Sequence, residues 1–311
     1  MQKSFTLFLL SFLFFLAAQT ANAESNSAQK EFVTRVSALE KQHGGRLGVA
    51  VVLLNGKPLL ARRENERFAM CSTFKALLGA AVLARVDAQR ESLGRAISYK
   101  ESDLLEYAPI TKENLSAGSM TIAELNEASI QYSDNTAANL LLESIGGPAA
   151  LTDFMRSLGD KTTRLDRNEP TLNTNMKDDE RDTSTPAAMA SSLQKLLSED
   201  VLSLTSKEQF KAWLFGNTTG ANRLKAGFDK NWLIGDKTGT GSNGAANDVA
   251  IVYPRGLPPF TIAVFYTDSN VASEIKNTVI AEVARIASEI LVKYRSELKL
   301  PKMDTALRNS K

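Results

Sequence analysis

Between positions 28 and 43 the apolar residues Phe32, Val36 and Leu39 recur at helical spacing, and the stretch ends at Gly44-Gly45. That pattern predicts an amphipathic helix with a glycine stop. Positions 46–54 are then rich in Val and Leu, and Asn55-Gly56 separates them from a second short apolar run at 58–61. Asn-Gly between two apolar runs is the strongest short-range signal for a β-hairpin. From Ser72 to about Asn217 the punctuation is helical. Thr121-Ile122-Ala123-Glu124 reads as a capping box. Residues 140–145 end at Gly146-Gly147, and Pro148 and Pro186 each suit the first turn of a helix. Strand signals return as β-branched or aromatic runs at 232–235, 248–253 and 260–267. The links between them, 243–247 and 254–259, cannot hold a crossover helix, so these strands are expected to pair antiparallel. Positions 272–294 close the pattern with Ile275, Val279, Val283, Ile286 and Ile290 on one stripe. The expected fold is α/β of the α+β type, an antiparallel sheet covered by the two terminal helices with an all-helical domain inserted between strands. The expected boundaries are 24–71 with 218–311 for the sheet domain and 72–217 for the helical one.

Composition narrows the chemistry. The 311 residues are 43% hydrophobic and 23% charged, which excludes disordered and fibrous classes. Lys+Arg 37 against Asp+Glu 35 gives a net charge of +2, with no basic run to suggest nucleic acid. One histidine, His43, and one cysteine, Cys71, exclude a His- or Cys-rich zinc site and an intramolecular disulfide. No cofactor and no metal are implied. A basic start at Met1–Lys3, an apolar run at 5–18 and Ala21-Asn22-Ala23 read as a secretory signal peptide cut after Ala23. The expected product is exported to the periplasm or medium, without a membrane anchor, and its tail from Pro301 is polar and loose.

Three short motifs carry candidate chemistry. Ser72-Thr73-Phe74-Lys75 opens a run that is apolar on all sides, so its helix is buried. Positions i and i+3 share a helix face, which sets the Lys75 amine beside the Ser72 hydroxyl. A serine needs such a neighbouring base to act as a nucleophile, and burial makes a lysine easier to deprotonate. A helix N-terminus also offers N–H groups to a developing oxyanion. Ser133-Asp134-Asn135 stands between two helices, where a hydroxyl can relay a proton and a carboxamide can bind an amide. Lys237-Thr238-Gly239-Thr240 ends a predicted strand and suits a carboxylate bound along a strand edge. Taken alone, the first two motifs are better read as helix caps, with a lysine that snorkels, and the third also fits a solvated strand end.

In this order and these contexts, the set resembles that of penicillin-binding proteins and serine β-lactamases. A fourth segment, Arg164 to Asp182 with Glu169-Pro170-Thr171-Leu172-Asn173 inside it, resembles the omega loop of class A serine β-lactamases. The resemblance to that class covers nearly the whole chain after the leader. It implies an acyl-enzyme hydrolase of penicillins and cephalosporins, with Ser72 as nucleophile and Lys75 as its proton partner. It implies that Glu169 activates the deacylating water, that Asn173 helps to position it, and that Arg167 and Asp182 clamp the loop. By the same resemblance, Ser72 and Thr240 give the oxyanion-hole N–H groups and Ser133 protonates the leaving nitrogen. Asn135 would bind the side-chain amide, and Lys237, Thr238 and Thr240 the carboxylate. Tyr107 would line the cleft entrance. The partner implied is a small β-lactam bound by a monomer. A penicillin-binding carboxypeptidase or transpeptidase, or a non-catalytic β-lactam sensor, is the competing reading. Lys75 and Glu169 both stand as candidates for the acylation base.

Two departures matter. Many relatives carry an arginine on the strand after Lys-Thr-Gly, where this chain has Ala245 and Ala246. Arg223 resembles the alternative source of that guanidinium, and its side chain is expected to face the cleft and not the core. Some carbapenem-hydrolysing relatives bridge a cysteine before the nucleophile to one that corresponds to Gly241, so Cys71 has no partner here.

Overall fold

The computed structural model describes residues 27–301. The leader read at 1–23 lies outside the described residues, as does the tail after 301. Helix α1 spans 27–43, and Gly44 and Gly45 follow with φ of +70° and +79°. The hairpin β1 (Arg46–Leu53) and β2 (Pro58–Arg62) comes next, then β3 (Phe68–Ala69), a tight turn Cys71–Thr73 and α2 (Phe74–Asp87). Past these lie β4 (Ala96–Ser98), α3 (Pro109–Glu113), β5 (Ser119–Thr121), α4 (Ile122–Gln131), α5 (Asn135–Ile145) and α6 (Gly147–Ser157). The loop 164–182 leads to β6 (Thr183–Ser184), α7 (Pro186–Ser198), α8 (Leu204–Phe215) and the short α9 (Leu224–Gly227). Strands β7 (Leu233–Thr240), β8 (Ala246–Tyr253) and β9 (Phe260–Thr267) precede the last helix, α10 (Ser273–Lys293).

Five strands form one antiparallel sheet in the order β2-β1-β9-β8-β7. Its residues alternate between two cores. Val49, Val51, Ala250, Val252, Ile262 and Val264 pack with α1 and α10 through Phe32, Val36, Val283 and Ile290. Ala50, Val52, Val249, Ile251, Ala263 and Phe265 pack on the other face with α2 and α7. With both faces covered, the strands read as unbroken apolar runs. Helix α2 is buried all round from Phe74 to Leu83, as its uninterrupted apolar sequence requires.

Two expectations need correction. The stretch 72–217 is not wholly helical: β4 pairs with β5, and β6 with β3. These strands are two or three residues long, too short to show alternation in sequence. Strand β7 continues to Thr240 and does not end at Gly235, so the Lys-Thr-Gly-Thr segment lies inside it. Its polar and glycine residues have little strand preference of their own, and the pairing with β8 holds them extended.

This topology makes β7 an edge strand whose outer side faces the turn at the start of α2. The approach is close enough to demand glycine: a Cβ on Gly239 would lie 2.7 Å from the Met70 carbonyl oxygen. The Asn247 amide of β8 pins that turn further, donating to the carbonyls of Ala69 (2.8 Å) and Met70 (3.0 Å).

Candidate active site

Ser72 sits in the Cys71–Thr73 turn, after a Cys71 held at φ +47°. Ser133 lies between α4 and α5 at φ +59°. Left-handed angles at non-glycine residues cost about 1–3 kcal/mol and persist where the surroundings impose them. Here both turn a hydroxyl into the space between β7 and the helices. Asp134 stabilises the second bend: its carboxylate caps α5 at Ala137 N and accepts from Ile110 N, Thr111 N and Thr111 Oγ1.

The buried residues Ser72, Lys75, Ser133, Glu169 and Lys237 meet here. Ser72 Oγ donates to Glu169 Oε1 at 3.0 Å, and Lys75 Nζ pairs with the same oxygen at 3.0 Å. Ser72 and Lys75 thus meet on one oxygen, and no direct hydrogen bond joins them. Ser72 belongs to a 3-10 turn, before the regular helix that starts at Phe74, and side chains three positions apart stay on one side of such a turn. Lys75 Nζ also donates to the Ser133 carbonyl (2.8 Å) and to Asn135 Oδ1 (2.6 Å), with Ser133 Oγ at 3.4 Å. Lys237 Nζ donates to Ser133 Oγ at 3.0 Å and to its neighbour's carbonyl, Thr238 O, at 2.9 Å. Burial pushes the Lys75 ammonium below its usual range, and the Glu169 carboxylate opposes that shift. Burial and the nearby Lys75 bring Lys237 down to about 7.

Glu169 is fixed from three sides. Asn173 Nδ2 donates to its Oε2 at 2.5 Å, which leaves Oε1 for Ser72 and Lys75. The Oδ1 atom of Asn173 is buried without a partner among the described residues. The Asn139 carboxamide binds the Glu169 backbone at both ends, accepting from its N–H (3.0 Å) and donating to its carbonyl (2.9 Å). The expected Arg167–Asp182 pair is present, Nε to Oδ2 at 2.5 Å, and Asp182 also accepts from the backbone of Asp166 and Arg167. Asn139 was not singled out from the sequence. The signal was available, because it stands one helical turn after Asn135 on α5 and shares its face.

The carboxylate end of the cleft is built on β7. Gly241 N–H bonds to Ala245 O, and Thr240 faces Ala246 in the ladder. Hydrogen-bonded and non-bonded pairs alternate, so the Thr240 N–H turns away from β8 and toward the cleft. Thr238 Oγ1 contacts Thr219 Oγ1 at 2.5 Å. Arg223 reaches this end as expected, Nη2 donating to Thr240 Oγ1 at 2.7 Å. It is not free of the framework, however. Nη1 donates to the carbonyls of Gly239 (2.8 Å) and Asn247 (2.7 Å), and Nε to Asn277 Oδ1 (2.8 Å). The expectation that it faces only the cleft is therefore corrected: its guanidinium also ties β7, β8 and α10 together. Behind it lie two further buried carboxyls that the sequence did not mark. Asp236 pairs with Lys225 (2.6 Å), and burial with the neighbouring Asp236 drives the Asp248 carboxyl well above its ordinary range.

Tyr107 stands apart, its side chain exposed and its carbonyl accepting the Asn135 N–H at 3.0 Å. Cys71 is buried and free, and burial with the nearby Glu169 pushes its thiol up to about 12. Its sulfur faces Gly241, where a Cβ would come within 2.6 Å.

A site of this kind, in a sheet-and-helix framework of this topology, is that of an acyl-transferring serine hydrolase. Residues 31–291 match the model of the β-lactamase enzyme family. The chain is similar to β-lactamase CTX-M-97 of Escherichia coli, with 43% identity over 272 residues, 88% of this chain and 92% of that one. It is similar to β-lactamase OXY-2 of Klebsiella oxytoca, with 44% identity over 255 residues, 82% and 88% of the two chains. Among solved structures it resembles the class A β-lactamase described as the last common ancestor of Gram-negative bacteria, at 54% identity and a TM-score of 0.81, covering 83% and 98%. A putative class A enzyme, PenP of Rhodopseudomonas palustris, matches at 49% identity with the same TM-score and coverage. The chain belongs to the β-lactamase enzyme family, as a class A serine enzyme.

Proposed function

We propose that this enzyme opens β-lactam rings through an ester on Ser72 and releases the product with water activated by Glu169. The observation that carries this reading is the buried meeting of Ser72 Oγ, Lys75 Nζ and Glu169 Oε1. In acylation the Ser72 oxygen attacks the lactam carbonyl carbon while its proton passes to Glu169, the acceptor it already holds. The carbonyl oxygen becomes an anion facing the N–H groups of Ser72 and Thr240. The ring C–N bond then breaks, and the nitrogen takes the Ser133 hydroxyl proton; Ser133 recovers it from Lys75, 3.4 Å away, and Lys75 recovers its own from the protonated Glu169 across their 3.0 Å pair, which restores the carboxylate. Once Ser72 is an ester it no longer donates to Glu169, and Oε1 is free to take a proton from water. The unpartnered Oδ1 of Asn173 supplies a second acceptor for that water. The hydroxide equivalent attacks the ester, and the Ser72 oxygen leaves with the proton. Asn135 binds the side-chain amide; Lys237, Thr238, Thr240 and Arg223 hold the carboxylate; Tyr107 borders the entrance. Reaction with a penicillin followed by peptide mapping tests the assignment, because the transient adduct must fall on Ser72.

Two predictions address the carboxylate end. Lys237 holds a substrate carboxylate only as an ammonium, so kcat/KM for a penicillin should fall as pH rises through about 7 in the free enzyme. The methyl ester of the same penicillin should lack this limb. The stability effect has the opposite sign. The folded pKa lies below the unfolded value of 10.5, so the burial penalty of Lys237 is full below about pH 7 and fades as pH rises toward 10.5. Arg223→Ala should lower kcat/KM by about ten- to a hundred-fold, since one charge-assisted hydrogen bond is worth roughly 1.5–3 kcal/mol. It should also lower the thermal midpoint by about 4–8 °C, taking about 2 kcal/mol for the lost framework bonds. Calorimetry beside steady-state kinetics checks both halves.

We further propose that the apolar leader is cut after Ala23 on export, and that the mature enzyme acts as a monomer with the two-domain division given above. Among the described residues, no helix is long and apolar enough to cross a membrane.

A further inference from the structure

At the carboxylate end of the cleft, the turn that follows α8 holds a chain of hydrogen bonds whose direction is set from its far end. Lys225 Nζ pairs with Asp236 Oδ1 at 2.6 Å and donates to the Asn217 carbonyl at 3.0 Å. Asn217 Nδ2 donates to Asp236 Oδ2 at 2.7 Å. A carboxylate only accepts, so the Asn217 amide must turn its nitrogen to Asp236 and its oxygen to Thr219. That oxygen accepts from the Thr219 N–H (3.2 Å) and from Thr219 Oγ1 (2.9 Å). The turn lies directly on the carboxylate, because a Cβ on Gly220 would collide with Asp236 Oδ2. A hydroxyl has one proton to give. Thr219 gives its proton to Asn217, so in its 2.5 Å contact with Thr238 Oγ1 it can only accept. Thr238 is the donor in that contact, and its proton points away from the cleft. Among the described residues, Thr238 Oγ1 has this one hydrogen-bond partner.

This polarity is the wrong one for a substrate carboxylate. Such a group needs donors, yet the free enzyme presents it with the lone pairs of Thr238. We propose that Thr219 is a positioning residue that gates this donor: Thr238 can donate to the carboxylate only if Thr219 swings its own proton from Asn217 Oδ1 to Thr238 Oγ1. The inference rests on the carboxylate placement proposed above. Without that second rotation, two oxygens 2.5 Å apart would face each other with no proton between them. With it, Thr238 accepts from Thr219 and donates to the ligand, and Asn217 Oδ1 keeps only the Thr219 N–H. No proton changes owner, since only two hydroxyl groups rotate. Each bound carboxylate therefore costs the enzyme one neutral hydrogen bond, the one from Thr219 to Asn217.

Thr219→Val keeps the shape and removes the hydroxyl, which leaves the Thr238 proton free to face the cleft. The test is made in the Ser72→Ala enzyme, where a penicillin binds without reacting and calorimetry gives its Kd. There Thr219→Val is expected to lower the Kd by about two- to tenfold, the size of one neutral hydrogen bond. Thr219→Ala should shift the Kd in the same direction, and Thr219→Ser, which keeps a hydroxyl, should match the Ser72→Ala enzyme. Thr219→Val should bring no gain when Thr238 is also changed to valine, because no donor is left to release. A side chain that merely braced the cleft would act in the opposite sense, and its loss would weaken binding. Unchanged or weaker binding in the valine and alanine variants, or an equal gain in the Thr238→Val background, would overturn the proposal. Equal Kd values for the penicillin and its methyl ester in the Ser72→Ala enzyme would instead overturn the carboxylate placement on which the proposal rests.

Discussion

Replacing Ser72 with alanine is expected to lower kcat by roughly a million-fold, the scale of loss when the nucleophile is removed from a serine hydrolase unit. The change should leave the fold alone. The side chain is small, and the hydrogen bond it gives up is worth about 0.5–1.5 kcal/mol. The oxygen it abandons, Glu169 Oε1, keeps its 3.0 Å pair with Lys75. No covalent adduct should form with any β-lactam, while reversible binding survives through Lys237, Thr238 and Thr240. Turnover within a few hundred-fold of the parent enzyme would mean that another group attacks the ring.

The second large effect belongs to Glu169→Ala. Loss of a positioned general base costs about 10²–10⁴ in the step it serves. Deacylation should fall by that factor, and steady-state kcat with it. Acylation should fall less, for a reason specific to this site. Glu169 is what raises the Lys75 pKa against the downward push of burial. Once the carboxylate is gone, burial acts nearly unopposed, and the Lys75 amine is more readily neutral. It can then take the Ser72 proton in place of Glu169. The expected kinetic signature is a rapid burst of one product equivalent followed by a slow phase. Equal slowing of burst and steady state would show that Lys75 cannot take over.

Much of this site was legible in the sequence because each piece carries its own local signal. Ser72 and Lys75 open an unbroken apolar helix, Ser133 to Asn135 interrupt two helical segments, and Glu169 stands in a charged stretch without periodicity. The hairpin at Asn55-Gly56, the antiparallel late strands and both covering helices follow from period and link length alone. What was not legible depends on contacts between distant segments. The second half of β7 is polar and is strand only because β8 pairs with it. The shared oxygen of Glu169 reflects the left-handed Cys71 turn, which takes Ser72 off the helix. The framework role of Arg223 appears only when the carbonyls of Gly239 and Asn247 come within reach of one guanidinium. The Asn243 amide likewise donates to the Asn175 carbonyl, 68 residues away in sequence.

The central claim, that Ser72 is acylated and Glu169 removes the acyl group, meets its most direct test in an intact-mass time course. Glu169→Ala is mixed with excess penicillin, and aliquots are quenched from seconds to hours. The account predicts a full shift by the mass of one whole penicillin, persisting for the length of the experiment and mapping to the peptide that carries Ser72. The parent enzyme under the same conditions should return to its unmodified mass as soon as the substrate is spent. A mutant that stays unmodified while clearing the penicillin, or one modified at any residue other than Ser72, would contradict it.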